Sequence, residues 1–172
     1  AAIDGHRCQA VTPSDLATVL VALDAMVTIT SPDGVRDVAL GALYTGPGEM
    51  DGLGERDVIT RITIPAEAAA RQTSFSKLNL WKGDFAIASA AVSVALDGDG
   101  RCTEARICLG AVAPVPWRAR ATEKRLVGQK VTAARLRTLL DAELDARGHP
   151  LKRNEWKLDA VAGLAERAVE AL

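Results

Sequence analysis

The chain lacks an excess of charge of either sign and any long apolar run. Its 172 residues include 21 lysines and arginines and 22 acidic residues, for a formal net charge of -1. This balance creates no field that would attract nucleic acid or an anionic membrane. No run approaches the roughly twenty apolar residues of a membrane-spanning helix, and no secretory signal opens the chain. We therefore expect no nucleic-acid or membrane partner and a cytoplasmic location.

Cysteine and histidine are also scarce, which narrows the possible chemistry. The three cysteines, Cys8, Cys102 and Cys108, indicate neither a disulfide framework nor a CxxC zinc site. Cys102 and Cys108 lie an even distance apart in a strand-like run, which predicts two core residues on one face. His6 and His149 have no adjacent serine or cysteine nucleophile. Without HExxH or paired-carboxylate motifs, an enzymatic role would rest on a bound cofactor.

The first forty residues predict one helix followed by a β-hairpin. Thr12 can cap the helix, Pro13 suits its first position, and Asp15 fits the acidic position of a capping box. The helix should end near Asp24, and its apolar stripe consists of Leu16, Val19, Leu20 and Leu23. Residues 26–40 predict two strands around a Ser-Pro-Asp-Gly turn.

Two glycine-containing segments suggest ligand sites but fit them poorly. Residues 44–54 lack the Lys-Ser/Thr pair of a P-loop and the spacing of a dinucleotide-binding turn, so we predict a connecting loop. The Asp-Gly-Asp-Gly sequence at 97–100 suggests calcium, but Arg101 and Cys102 follow where an EF-hand loop needs ligands. We predict a tight hairpin turn there instead.

The rest of the chain predicts strands followed by helices. Strands are expected at residues 58–64, 73–80, 88–96 and 102–112. Helices are expected at residues 118–126, 132–147 and from 154 or 155 to 172. This order favours an α+β fold, in which an antiparallel sheet of three to four strands is covered on one side by about three helices.

The most informative segment is a polar corner between two strands that look buried. The sequence Phe-Ser-Lys-Leu at 75–78 is followed closely by Trp-Lys-Gly-Asp-Phe at 81–85. A plain core would not need a lysine, an acid, a glycine and an aromatic residue so close together. The mixture fits a site that holds a flat, charged ligand.

Several segments, taken in order, resemble one family. They are residues 8–17, 21–25, 44–48, 57–65, 75–78, 82–86, 109–119 and 154–158. Together they resemble the flavin subunit of the molybdenum hydroxylases, the group of xanthine dehydrogenase, aldehyde oxidoreductase and carbon monoxide dehydrogenase. The resemblance covers essentially the whole chain, which makes it more specific than any single motif.

The resemblance implies a medium subunit that binds FAD. In the family, electrons from a molybdenum centre pass through iron–sulfur clusters to FAD, and then to NAD, oxygen or another acceptor. It also implies two partners, a large molybdenum subunit and a small 2Fe-2S subunit, which carry the molybdenum cofactor and the clusters. Such enzymes are cytoplasmic, although some branches of the family are periplasmic.

Four residues match flavin-pocket positions of the family. Asp15 matches an acid that contacts FAD, Ile59 an apolar residue beside the flavin, and Lys77 a lysine in the same pocket. Phe85 matches a tyrosine of carbon monoxide dehydrogenases, so the ring is kept and the hydroxyl is missing. Plainer interpretations exist. Asp15 also suits a helix N-terminus, Lys77 a solvated strand position, and the two apolar residues a core.

The chain departs from the family at its start. The family's flavin domain begins with two glycine-rich segments that bind the FAD pyrophosphate, and nothing before Cys8 matches them. The chain also begins at Ala1 without an initiator methionine. We interpret residues 1–56 as the C-terminal part of the FAD-binding subdomain, a remnant with one helix and one hairpin, and residues 57–172 as the C-terminal domain. We expect the isolated chain to bind FAD weakly and to be inactive without the N-terminal half.

Two alternatives remain open. Some branches of the family carry an extra cluster-binding loop just before this motif, so Cys8 is either an iron–sulfur ligand or a free cysteine. The chain as a whole is either part of an FAD-binding electron-transfer subunit or a non-catalytic module that docks other subunits without a cofactor of its own.

Overall fold

The computed structural model describes all residues, 1–172, and contains two antiparallel sheets and six helices. The helices are α1 (Asp15–Ala22), α2 (Leu40–Leu43), α3 (Ala66–Ala69), α4 (Arg120–Leu126), α5 (Ala133–Arg147) and α6 (Trp156–Glu170). The strands are β1 (Met26–Ser31), β2 (Gly34–Ala39), β3 (Val58–Thr63), β4 (Gln72–Leu78), β5 (Ala88–Leu96), β6 (Cys102–Gly110) and β7 (Trp117–Arg118). The α+β class predicted from the sequence is confirmed.

The first sheet contains three strands in the order β2–β1–β3. β1 and β2 form the predicted hairpin, which closes at Ser31 and Gly34, where the φ angle of Gly34 is +137°. β3 pairs antiparallel with the other edge of β1 and places Ile59 opposite Ile29. The prediction that this strand belongs to the later sheet is therefore wrong. Without β3, β1 would expose a row of unpaired backbone groups.

The second sheet contains four strands in the order β4–β5–β6–β7, all antiparallel. Its fourth strand is the two-residue β7, which the sequence did not predict. The carboxylate of Asp97 accepts hydrogen bonds from the backbone N–H groups of Asp99 at 3.0 Å and Arg101 at 2.8 Å. These bonds close the turn between β5 and β6, as predicted.

Alternate residues of β5 and β6 face two different cores. Val92, Val94 and Ile107 belong to the larger core, which α4, α5 and α6 cover. Ala91 and Cys108 belong to a smaller core with α1, α2 and the first sheet. The second sheet is thus covered on both faces, whereas the sequence predicted helices on one face only.

A β-bulge separates the two buried cysteines. The register of β5 and β6 shifts so that Ala95 lies opposite Glu104, and Leu96 lies opposite Cys102. Cys102 consequently joins the larger core and Cys108 the smaller one. Their burial is confirmed, but the prediction that they share a face is wrong because the extra residue shifts the alternation. Burial raises the pKa of Cys108 and keeps its thiol protonated.

α1 begins two residues later than the sequence predicted. Ser14 is the N-cap, and its Oγ accepts a hydrogen bond from the N–H of Ala17 at 3.1 Å. The hydroxyl of Thr12 donates instead to the carbonyl of Pro114 at 2.6 Å. Leu16 of the predicted stripe is exposed. The buried face of α1 consists mostly of smaller side chains, Ala17, Thr18, Leu20, Val21 and Ala22.

The two long helices match the predicted ones within a few residues. Thr132 caps α5 by accepting a hydrogen bond from the N–H of Arg135 at 3.3 Å, and Gly148 follows its last residue. α4 is shorter than predicted because Trp117 and Arg118 form β7 before it. None of the helices has the length and apolar character needed to cross a membrane.

Candidate functional site

An ion pair joins two of the residues that the sequence predicted for a site. Nζ of Lys77 on β4 donates to Oδ2 of Asp15 on α1 at 2.5 Å, across 62 positions of the chain. The Lys77 side chain is 21% exposed and that of Asp15 is 39% exposed. Both charged groups therefore remain within reach of a ligand from solvent.

The second carboxylate oxygen of Asp15, Oδ1, is buried and has no hydrogen-bond partner. Buried polar atoms in folded proteins are nearly always paired, so this atom points to a partner from outside the chain. Asp15 also lies in the first turn of α1, where the helix dipole favours a negative charge. Oδ1 can therefore accept a hydrogen bond from an N–H or O–H of a ligand.

The polar corner between β4 and β5 holds two aromatic rings in solvent. The N–H of Asp84 donates to the carbonyl of Trp81 at 3.1 Å, and the turn passes through Gly83 with a φ angle of +87°. The N–H of Phe85 donates to the Asp84 carboxylate at 2.8 Å. Phe85 is 73% exposed and Trp81 is 69% exposed. Two exposed rings on one short turn form a surface that a ligand or a partner protein can cover.

The ion pair and the corner lie at the same end of the second sheet. Lys77 is opposite Ser89 in the ladder, and Leu78 is opposite Ala88. The N–H of Ile87 donates to the carbonyl of Leu78 at 2.8 Å and closes the base of the corner. The structure thus joins two of the four predicted flavin-pocket residues, Asp15 and Lys77, and places a third, Phe85, on the turn that follows β4.

Ile59 and Cys8 lie elsewhere. Ile59 is on β3 in the other sheet, with 38% of its surface exposed. Cys8 is exposed and lines a separate cavity of about 310 Å³ with His6 and Thr45 among its neighbours. No group of three or more histidine, cysteine or acidic side chains is arranged to hold a metal ion. A cluster at Cys8 would therefore need ligands from outside this chain.

Gly110 sets how closely α1 lies on the second sheet. A Cβ atom at this position would overlap Oγ of Ser89 and Oγ1 of Thr18. Thr18 is buried on α1, and its hydroxyl donates to the carbonyl of Ser14 at 2.9 Å. The absent side chain therefore allows the close approach that places Asp15 within hydrogen-bond distance of Lys77.

A cluster of charges ties the C-terminal end of α1 to the second sheet. Asp24, just beyond the helix, pairs with Arg71, Arg106 and Arg118. Burial alone would raise the pKa of Asp24, but hydrogen bonds from Arg106 and Arg71 outweigh it and lower that pKa. No sequence pattern indicated this cluster, because its members are spread along the chain.

A cavity of about 900 Å³ borders this charge cluster, and none of the predicted site residues lines it. Most of its charged side chains already have partners. Glu123 pairs with Arg118, and Glu143 accepts hydrogen bonds from the backbone N–H groups of Ala121 and Thr122. The corner with Phe85 and the unpaired oxygen of Asp15 is therefore the better candidate for a ligand site.

Two family descriptions match the chain. The CO dehydrogenase flavoprotein C-terminal domain matches residues 73–172, and the FAD binding domain in molybdopterin dehydrogenase matches residues 1–67. The chain belongs to the FAD-binding medium subunits of the molybdenum hydroxylases. The resemblance found in the sequence is thereby confirmed.

Individual relatives agree with this assignment. The glyceraldehyde dehydrogenase medium chain of Sulfolobus acidocaldarius is 28% identical over 160 residues, covering 89% of this chain and 56% of that relative. The aldehyde oxidoreductase FAD-binding subunit of Escherichia coli is 30% identical over 158 residues, covering 89% and 46%. The solved structure of carbon monoxide dehydrogenase from Hydrogenophaga pseudoflava matches with a TM-score of 0.82 at 28% identity, covering 93% of this chain and 56% of that one. The chain spans about half the length of the curated relatives it matches.

Proposed function

We propose that this chain forms one wall of the flavin site in the electron-transfer subunit of a molybdenum hydroxylase. One observation carries the proposal. The Asp15–Lys77 ion pair and the exposed ring of Phe85 lie at one end of one sheet, in a chain whose family binds FAD. Asp15 and Lys77 are 62 positions apart in the chain, so it is the fold that brings them together.

The chemistry of these side chains fits an isoalloxazine ring. An exposed phenylalanine offers an apolar face that a flat ring can cover. Lys77 supplies a positive charge for the polar edge of the ring, and Oδ1 of Asp15 accepts a hydrogen bond from the cofactor. FAD itself supplies the electron chemistry when it is bound.

The phosphates of FAD would be held elsewhere in the subunit. The glycine-rich turn at Gly46 folds back on Glu49, whose carboxylate also pairs with Arg7. An acidic side chain at that position disfavours a phosphate group through charge repulsion. The N-terminal half of the flavin subunit, with glycine-rich segments, is the partner that we propose for the pyrophosphate.

The electron path follows from the same proposal. Electrons released at a large molybdenum subunit would pass through iron–sulfur clusters of a small 2Fe-2S subunit to FAD, and from there to NAD or another acceptor. Two relatives of the chain are subunits of a dehydrogenase and of an oxidoreductase, which agrees with a redox role. The residues of this chain position the cofactor and take no covalent part in the reaction.

A docking role is the second candidate, and the exposed apolar surface favours it. Trp81 is 69% exposed and Leu80 is 66% exposed, and both lie on the corner that carries Phe85. Large exposed apolar side chains are typical anchors of protein interfaces. In this case, the corner would hold a neighbouring subunit and not a cofactor.

The Lys77→Met substitution in the FAD-loaded subunit distinguishes the two roles. We expect FAD affinity, measured by flavin fluorescence, to fall about tenfold, which corresponds to one hydrogen bond to a charged group. Lys82→Met is the matched control, because Lys82 is an exposed lysine on the same corner, and it should leave the affinity unchanged.

A docking role predicts a different pattern. Both lysine variants would then bind FAD like the parent protein, and Trp81→Ala would weaken the assembly of the subunits. That pattern would overturn the flavin proposal.

A further inference from the structure

Arg71 is a buried arginine that the flavin proposal does not use. It lies between α3 and β4, and its side chain is 2% exposed. Its guanidinium donates to Oδ2 of Asp24 at 2.9 Å and to the carbonyl of Ala22 at 3.4 Å, and it pairs with Glu104 at 3.2 Å. Ala22 ends α1, Asp24 follows it, and Glu104 lies on β6 of the second sheet. A charge held this far from water needs such partners to remain buried.

Arg71 and Lys77 give β4 a contact with each end of α1. At the N-terminal end, Lys77 pairs with Asp15, and at the C-terminal end, Arg71 holds Ala22 and Asp24. Asp15 is the first residue of α1, and Asp24 lies two residues beyond its last residue. Lys77 lies near the end of β4, and Arg71 immediately precedes the strand.

We propose that Arg71 is a positioning residue, which fixes α1 along β4 and thereby holds Asp15 against Lys77 in the flavin pocket. This inference rests on the proposed function. Without Arg71, Asp24 keeps Arg106 and Arg118, but these lie on β6 and β7. The tie between α1 and the strand that carries Lys77 is then lost at one end. The position of α1 relative to β4 then depends on its packing against β5 and β6, so the Asp15–Lys77 contact is less tightly fixed.

A purely structural role for Arg71 would lower stability without a specific effect on Lys77. Arg137 provides the comparison. It lies on α5 and pairs with Asp141, Asp159 and Glu166, away from α1. Its loss removes three ion pairs within α5 and between α5 and α6, and leaves the contacts of α1 with Lys77 and Arg71 intact.

The direct readout is the reactivity of the Lys77 amine in the 172-residue chain. Acetylation by an N-hydroxysuccinimide ester is followed by peptide mass spectrometry, and the exposed Lys82 serves as an internal reference. In Arg71→Met we expect the ratio of Lys77 to Lys82 acetylation to rise by up to about fivefold, as the loss of a partly exposed ion pair allows. Arg137→Met should leave the ratio unchanged. Arg71→Lys should raise it less than Arg71→Met does, because one charged contact is kept.

These measurements are made well below the unfolding temperature of each variant, which circular dichroism determines. If Arg71→Met does not fold, the acetylation ratio of Arg71→Lys is compared with that of Arg137→Met, and a higher ratio in Arg71→Lys supports the positioning role. An unchanged ratio in every folded Arg71 variant would overturn the positioning role. An equal rise in Arg137→Met would do the same, because the effect would then be general.

FAD affinity in the FAD-loaded subunit separates failure of this inference from failure of the flavin proposal. If both hold, Arg71→Met weakens FAD binding about tenfold, and so does Lys77→Met. If Lys77→Met weakens binding and Arg71→Met does not, Arg71 is not a positioning residue. If Lys77→Met leaves binding unchanged, the flavin proposal fails, whatever the acetylation ratios show.

Discussion

Substituting Gly110 tests whether α1 lies as close to the second sheet as the structure places it. In Gly110→Ala, the new Cβ overlaps the hydroxyl oxygens of Ser89 and Thr18. Neither oxygen is at the end of a long flexible side chain, so α1 or the strands must shift. Because α1 carries Asp15, such a shift also reaches the candidate site.

The magnitude follows from two opposing terms. Forcing an extra methyl group into a packed contact costs about 1–3 kcal/mol. Replacing a strand glycine by alanine returns about 0.5–1 kcal/mol through the backbone entropy of the unfolded chain. From the midpoints of these ranges we expect a net loss of about 1 kcal/mol in the free energy of unfolding, which lowers Tm by about 2–4 °C in a chain of this size.

Gly163→Ala is the matched control. Gly163 lies inside α6, and a Cβ there meets no atom within 4 Å. The same substitution should therefore stabilise the protein by about 0.5–1 kcal/mol through helix propensity. Thermal unfolding followed by circular dichroism compares the two variants. Adding Ser89→Ala to Gly110→Ala should recover part of the loss, because it removes one of the two oxygens in conflict.

A Gly110→Ala variant as stable as the parent, or stabilised like Gly163→Ala, would show that α1 is not pressed against the sheet at this point. The geometric basis for the Asp15–Lys77 pair would then be wrong.

Further predictions concern acid stability, cofactor binding and Cys8. Because the folded pKa of Asp24 is lowered, its contribution to stability is complete above the unfolded value of about 3.9 and is lost as the pH falls through the folded value. Urea unfolding at a series of pH values should therefore show that, below about pH 4, the free energy of unfolding falls less steeply with pH in Asp24→Asn than in the parent protein. An equal dependence on pH in the two proteins would contradict this. The chain by itself should quench FAD fluorescence weakly, whereas tight stoichiometric binding would show that it needs no N-terminal half. If Cys8 is a cluster ligand, Cys8→Ser removes iron from the complete subunit, and unchanged iron identifies Cys8 as a free cysteine.

The secondary structure was largely predictable because its signals are local. α5 has a threonine cap at Thr132 and a glycine at Gly148, and the hairpin turn after β5 has its own Asp-Gly sequence. Sheet membership was less predictable. β3 has a clear strand pattern, but nothing within it indicates that its partner is β1 and not β4. β7 is too short to produce any periodicity.

The two buried cysteines show how a single β-bulge makes a prediction from residue spacing wrong. Even spacing between Cys102 and Cys108 predicts a shared face only if the strand is regular. The bulge near Cys102 adds one residue and reverses the alternation. A bulge of this kind depends on how the two strands pair, so the sequence of β6 alone does not reveal the bulge.

The site residues were predictable only through the family resemblance. By residue pattern alone, Asp15 is a helix-end acid and Lys77 a strand lysine. Their pairing depends on the way α1 packs against the second sheet, beside β4, which the sequence does not encode locally. Arg71 had no signal at all, because it follows an alanine-rich segment without a motif. Its partners come from two other parts of the chain, Ala22 and Asp24 at the end of α1 and Glu104 on β6.

The most direct test of the account is a crystal structure of the FAD-loaded subunit. We predict that the isoalloxazine ring lies within about 4 Å of Phe85 and that a flavin N–H or O–H donates to Oδ1 of Asp15, with Lys77 at the polar edge of the ring. A structure in which FAD binds away from these residues, while Phe85 packs against another subunit, would contradict the central claim.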